Sequence, residues 1–132
     1  MKATILLIDD DPQVRDSLGQ TLRVEGCDVT FASNGQEALN ALRATGFDLV
    51  LLDVDMPTRD RWDTLGQIIT NSLSIPLVII TTHPEEQQMA LQKGVMAVLE
   101  KPLEMSLLLK LMERLPARPV ETSSPPIPTR QP

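Results

Sequence analysis

Short apolar runs alternate with longer amphipathic stretches along most of this chain. Runs rich in Leu, Ile and Val at Thr4–Ile8, Cys27–Phe31, Leu49–Leu52, Pro76–Ile80 and Ala97–Glu100 have the length and composition of β-strands. The later ones lack the polar alternation of a half-exposed strand, which predicts burial on both faces.

Helix punctuation fills the intervals. The first helix opens at Asp11, a side chain suited to accept from free N–H groups, with Pro12 in the first turn, and stops at Gly26. The second carries Ser33 with Gln36 three residues on, a capping-box spelling, and ends at Gly46. A third runs from about Asp60 to Asn71, a fourth from Pro84 to Gly94, and a last from Leu103 to Leu115.

Five strand–helix units with short connections predict an α/β fold, because parallel strands need crossovers and the crossovers cover the sheet. For five such units the order 2-1-3-4-5 is the common solution, which makes the first and third strands neighbours and places the ligand crevice at their carboxyl ends.

From Pro116 onward the pattern stops. Six of the eleven prolines lie in the last seventeen residues, which predicts a Pro-rich flexible tail or linker over 116–132 behind a folded domain over 1–115.

Composition narrows the class. With 42% hydrophobic and 23% charged residues the chain resembles an ordinary soluble protein, and no apolar run approaches the roughly 20 residues that span a bilayer. The opening Met1-Lys2-Ala3-Thr4 and the four apolar residues after it are too short for a secretory signal, and a single cysteine, Cys27, allows no internal disulfide. A cytoplasmic location is the expectation. A net charge of −6 gives no electrostatic reason for direct nucleic-acid binding.

The acidity matters locally. Asp9 and Asp10 follow the first strand, Asp53 follows Leu49–Leu52, and Asp55 lies two residues further. If strands one and three are adjacent, Asp9, Asp10 and Asp53 meet at one edge of the sheet. Unit charges about 5 Å apart repel by roughly 3 kcal/mol per pair at an effective dielectric of 20, so the cluster calls for a cation. Oxygen-only ligands suit Mg2+ better than zinc. Asp11, beside Pro12, reads instead as a helix cap. Thr81 and Lys101 end the fourth and fifth strands and should face the same crevice.

Asp9-Asp10, Asp53 in Asp-Val-Asp-Met-Pro, Thr81-Thr82 and Lys101-Pro102 together resemble the receiver domain of two-component response regulators, over about residues 3 to 115. The resemblance implies a flavodoxin-like, CheY-like doubly wound sheet with five helices. It implies that Asp53 is the phosphoacceptor for a sensor histidine kinase or phosphotransfer protein. Asp10, Asp53 and the Asp55 carbonyl would bind Mg2+, with Asp9 acting through a metal-bound water. Thr81 and Lys101 would contact phosphoryl oxygens, with a cis bond before Pro102, and the amides of Val54, Asp55 and Thr82 would complete the cradle. Such a protein catalyses only its own phosphorylation and dephosphorylation, and is not otherwise an enzyme.

Two positions, Val98 and Arg61, depart from that pattern. Val98 stands where a switch aromatic is usual, and a short β-branched side chain cannot make the same rotation. Arg61, beside Trp62, replaces a usual glycine in a loop that could form a contact surface. Asp55 and His83, two residues beyond Asp53 and Thr81, flank the expected acyl phosphate, where they could orient water and shorten its lifetime. The last helix is apolar over well over half its circumference, wider than a core stripe needs, which marks it for a protein target or a second copy of the chain.

Two other functions compete. A degenerate receiver would bind partners without phosphorylation, a reading left open by Val98 and Arg61. A haloacid-dehalogenase-like phosphatase shares the Asp-x-Asp spelling at Asp53-Val54-Asp55, but its pattern has no acidic pair after the first strand.

Overall fold

A computed structural model of the chain describes residues 3–55, 66, 68, 75–87 and 94–115. Five strands, β1 (Thr4–Ile8), β2 (Asp28–Ala32), β3 (Leu49–Asp53), β4 (Leu77–Thr81) and β5 (Ala97–Glu100), pair in parallel in the order β2-β1-β3-β4-β5. That is the expected doubly wound sheet.

The middle of the sheet explains why its strands read as unbroken apolar runs. Every residue of β3 and β4 is buried, and so are Ile5 to Ile8 of β1. Leu6, Ile8, Val50, Leu52, Leu77 and Ile79 point into one core, while Ile5, Leu7, Leu49, Leu51, Val78 and Ile80 point into the other. Each fully buried Leu or Ile contributes about 1.5–3 kcal/mol relative to exposure.

Three α-helices cover these faces among the described residues: α1 (Pro12–Val24), α2 (Gly35–Ala44) and α3 (Met105–Met112). Leu22 of α1 and Leu108 and Met112 of α3 fill one core, and Ala38 of α2 packs into the other with Ile68. Of the five helices expected, the segment from Asp60 to Asn71 lies outside the described residues except for Gly66 and Ile68, which are helical. In the segment from Pro84 to Gly94, Pro84–Gln87 form a 3-10 turn, Gly94 is described as part of a turn, and 88–93 lie outside the described residues. The loop at Arg61 and Trp62 and the tail over 116–132 also lie outside them.

Local chemistry sets the ends of α1. The Asp11 carboxylate accepts from the Gln13 amide at 2.9 Å, the cap that the Asp-Pro spelling predicts. At the other end Gly26 adopts φ 93°, its amide donates to Arg23, and the Cys27 amide donates to Leu22. This is a Schellman closure, and a side chain at Gly26 would strain it.

That closure also corrects β2, expected at Cys27–Phe31. Cys27 closes the helix, and pairing begins at Asp28, whose amide donates to the Ala3 carbonyl at 2.8 Å. Strands β3 and β4 likewise extend one residue further than expected, so Asp53 and Thr81 are their last members.

The expected Ser33–Gln36 capping box is displaced by one residue. Asn34 is the cap and accepts from the Glu37 amide at 2.9 Å, while the Glu37 carboxylate accepts from the Ser33 amide at 2.7 Å. An Asn cap with a carboxylate at the third helical position satisfies the free amides through a charged acceptor, which the Gln36 amide could not supply. The Ser33 hydroxyl instead accepts from Arg15 at 2.8 Å.

At the outer edge, Arg15 and Arg23 of α1 lie over the Phe31 ring, 5.9 and 5.0 Å from its centroid. Gly19 makes the close approach possible, because a Cβ there would come within 2.5 Å of the ring. Farther along the same face, the wide apolar stripe expected from Leu103 to Leu115 is largely absorbed: Leu103, Met105, Leu109, Leu111 and Leu115 pack against the core, and Leu107 is exposed.

Candidate functional site

Parallel register brings the acidic residues together. Ile8 pairs with Leu52, and Asp53 pairs with Ile80, so the residues that follow β1, β3 and β4 share one edge of the sheet. Asp9, Asp53 and Thr81 are the only buried polar or charged residues among those described. Buried polar groups need partners, and each of these has them.

Asp9 accepts from the Asp11 amide at 2.9 Å, and its own amide donates to Ala32. Burial raises its carboxyl to about 7, and the neighbouring Asp53 carboxyl, within hydrogen-bonding reach, adds to the rise. Asp10 and Asp11 are exposed.

Asp53 is held on both oxygens. The Lys101 ammonium donates to one at 2.7 Å, and the Asp55 amide donates to the other at 2.8 Å. Lys101 arrives here because β5 pairs with β4 up to Glu100; its bond to Pro102 is cis, as expected. Burial pulls the Lys101 ammonium down, but Asp53 and Asp55 outweigh it and hold the pKa above the usual lysine value.

Asp55 has the fullest set of partners. Its carboxylate accepts from the Thr81 hydroxyl at 2.9 Å and from the Thr82 amide at 2.7 Å, and lies 3.3 Å from the Lys101 ammonium. Burial pushes this carboxyl up, yet those three donors prevail and keep it below the ordinary carboxylate value.

Of the residues expected at the site, Asp9, Asp53, Asp55, Thr81, Thr82 and Lys101 therefore meet. The amides of Asp55 and Thr82 face the carboxylates, whereas the Val54 amide donates to the Ile80 carbonyl at 3.2 Å. His83 is exposed; its ring nitrogen lies 2.9 Å from the Thr82 hydroxyl, and its amide donates to the Thr81 hydroxyl. Val98 is half-buried and packs against the core shared with α2. Among the described residues, no three acidic, His or Cys side chains converge closely enough to hold an ion as they stand.

The sequence reading gave Asp55 a metal-binding carbonyl and, with His83, a place beside the phosphate; the bonds of its side chain to Thr81 and Thr82 and its approach to Lys101 were not foreseen. Their signal was present: an acidic residue in the turn after β3 faces the hydroxyl, amide and ammonium that end β4 and β5. Beside the cluster, a groove of about 530 Å³ opens between α1 and the segment from Lys101 to Met105.

Chemically, the edge holds a buried carboxylate beside a fixed cation, with a hydroxyl and two amides on the neighbouring carboxylates. A surplus of carboxylate oxygens lies on the β1 side.

Comparison with known proteins gives the family and the fold. The sequence profile of the response regulator receiver domain fits residues 5–113. The nitrate/nitrite response regulator protein NarL of Escherichia coli K12 is 35% identical over 120 residues, which is 87% of this chain and 55% of NarL. An uncharacterized 14.6 kDa protein of Leptolyngbya boryana is 34% identical over 114 residues, 83% of this chain and 87% of that protein. Among solved structures, the chemotaxis protein CheY4 of Vibrio cholerae superposes with a TM-score of 0.76 at 29% identity, over 87% of this chain and 99% of that one. NtrX of Brucella abortus superposes with a TM-score of 0.78 at 29% identity, over 87% of this chain and 27% of NtrX. The chain thus spans about half of NarL, about a quarter of NtrX and nearly all of CheY4.

Proposed function

Because the chain belongs to the response regulator receiver domain family, we propose that Asp53 accepts a phosphoryl group from a histidine of a sensor kinase or phosphotransfer protein. The observation that carries this reading is the double hold on Asp53 at the end of β3, with Lys101 on one oxygen and the Asp55 amide on the other.

In the reaction an Asp53 carboxylate oxygen attacks the phosphorus of the phosphohistidine. The O–P bond forms as the N–P bond breaks, and the imidazole leaves with the electron pair. Phosphoryl transfer asks the protein mainly for alignment and for charge to offset the transferred oxygens. Lys101 supplies a fixed cation, Thr81 a hydroxyl, and the amides of Asp55 and Thr82 further donors. The groove beside α1, lined by Asp9 and Lys101, would offer a donor protein a surface next to the site.

Receiver domains of this family generally bind Mg2+, and the donor chemistry here fits it: only oxygens, with Asp9 and Asp53 in mutual repulsion that burial amplifies. Asp9, Asp10, Asp53 and the Asp55 carbonyl would hold the ion. When bound, Mg2+ adds a second charge against the phosphoryl oxygens.

The reading places the protein in a two-component pathway in the cytoplasm, with the segment over 116–132 as a linker or tail. No described helix is long and apolar enough to cross a membrane. The test is intact-mass analysis after incubation with Mg2+ and a small phosphodonor. Wild type should gain one phosphoryl group and Asp53→Asn none; an unmodified wild type would favour the degenerate receiver that binds partners without phosphorylation.

A further inference from the structure

The donors that should surround a phosphoryl group on Asp53 are already occupied. Thr81 gives its hydroxyl to one Asp55 oxygen at 2.9 Å, and Thr82 gives its amide to the other at 2.7 Å. That second oxygen also lies 3.3 Å from the Lys101 ammonium. A hydroxyl, an amide and a cation are the set that an anionic tetrahedral group would use, and here one carboxylate takes all three.

The geometry points to Asp55 as an internal stand-in for the phosphoryl group, a self-inhibitory contact that must swing out of the cradle before Asp53 can be modified. The inference rests on the reading of Asp53 as the acceptor. A carboxylate shares the charge and acceptor character of phosphate oxygens but brings two oxygens rather than three, so it fills the cradle only in part. Its bonds to Thr82 and Lys101 are charge-assisted, the stronger class.

The side chain is free to leave. It is 21% exposed, and the backbone beneath it is anchored separately, with the Asp55 amide on Asp53 and the Val54 amide on Ile80. Rotation of the side chain therefore opens the cradle without moving the turn.

Two consequences follow for the switch. The Thr81 hydroxyl already faces the site and is fixed by the His83 amide as well. The modified and unmodified states then differ by exchange of one anion for another. A β4–β5 end held in this way relies less on the large rotation that Val98 cannot make.

The experiment compares wild type, Asp55→Ala and Asp55→Asn as full chains. The modification rate is followed by intact mass with Mg2+ and acetyl phosphate, and exchange of the Thr82 amide with solvent is followed without phosphodonor. If the contact blocks nine-tenths of the molecules, Asp55→Ala should be modified about tenfold faster than wild type. Asp55→Asn keeps one acceptor oxygen, enough for the Thr82 amide or the Thr81 hydroxyl but not both, and loses the pairing with Lys101, so its rate should fall between the two. Both variants remove the same charge; equal rates would make repulsion of the phosphodonor the whole effect and overturn the stand-in. Faster exchange of the Thr82 amide in Asp55→Ala supports the contact, and unchanged exchange overturns it. The exchange result stands even if no chain gains mass, an outcome that would remove the acceptor reading by itself.

Discussion

The strands β1 and β3 end in similar chemistry and different surroundings. Each is followed by acidic residues, Asp9 and Asp10 after β1 and Asp55 after Asp53 at the end of β3. Yet the Asp9 carboxyl is buried against another carboxyl and rises to about 7, while the Asp55 carboxyl is held below its ordinary value by Thr81, Thr82 and Lys101. The protein itself neutralises the β3 end. At the β1 end it leaves negative charge uncompensated, and that is where an added cation gains most. On the proposed reading, phosphoryl transfer would draw its fixed cation from Lys101, just after β5, and its exchangeable one from the β1 side.

Removing the fixed cation should have the largest effect on this contrast. Lys101→Met leaves Asp53 and Asp55 without their ammonium, and loss of one such electrostatic partner lowers a rate by about 10²–10³-fold. A time course of phosphoryl incorporation by intact mass checks this, and a change below about threefold would show that the β3 end does not depend on Lys101.

The β1 side should show itself in the pH dependence of Mg2+ binding. The ion competes with the proton on Asp9, so affinity should rise with pH by up to about tenfold per unit below 7 and then level off. Calorimetric titration over pH 5.5–8 measures the slope, and Asp9→Asn should flatten it. An equal slope in that variant would place the titrating group elsewhere.

Smaller, and opposite in sign at the two ends, is the effect on stability without divalent ions. For Asp9 the folded chain binds the proton more tightly than the unfolded one, so its contribution is present near pH 4 and is lost as pH rises towards about 7. For Asp55 the folded pKa is depressed, so its contribution is present above about pH 4 and is lost as pH falls through the lower folded value. Thermal melts should therefore show Asp9→Asn flattening the neutral limb and Asp55→Asn the acid limb, each by a few degrees. Identical profiles for the two variants would erase the distinction between the ends.

Much of this was legible in the sequence. The apolar runs at Leu49–Leu52 and Leu77–Ile80 announce strands buried on both faces, and their order along the chain implies which strand ends meet. Asp53 and Thr81 could be placed at the site because residue type and strand position agreed, and Asp11-Pro12 located the start of α1. The displaced cap at Asn34 was not legible, because Ser and Asn compete nearly equally as caps and the choice depends on Arg15, distant in sequence, taking the Ser33 hydroxyl. The one-residue shift of β2 had a similar cause, since Cys27 is claimed by the closure of α1. The bonds of the Asp55 side chain were not foreseen because a turn residue leaves its rotamer open until Thr81 and Lys101 arrive from two other strands. The clasp of Arg15 and Arg23 on Phe31 needed the same long-range information, with Gly19 as its only local sign.

The central claim is that Asp53, and no other carboxylate of the cluster, carries the phosphoryl group. An acyl phosphate is reduced by borohydride to the corresponding alcohol, whereas a free carboxylate is not. Wild-type chain incubated with Mg2+ and acetyl phosphate, reduced and mapped by tandem mass spectrometry should therefore show homoserine at position 53 alone. Reduction at position 9, 10 or 55, or at none of them, would contradict the account.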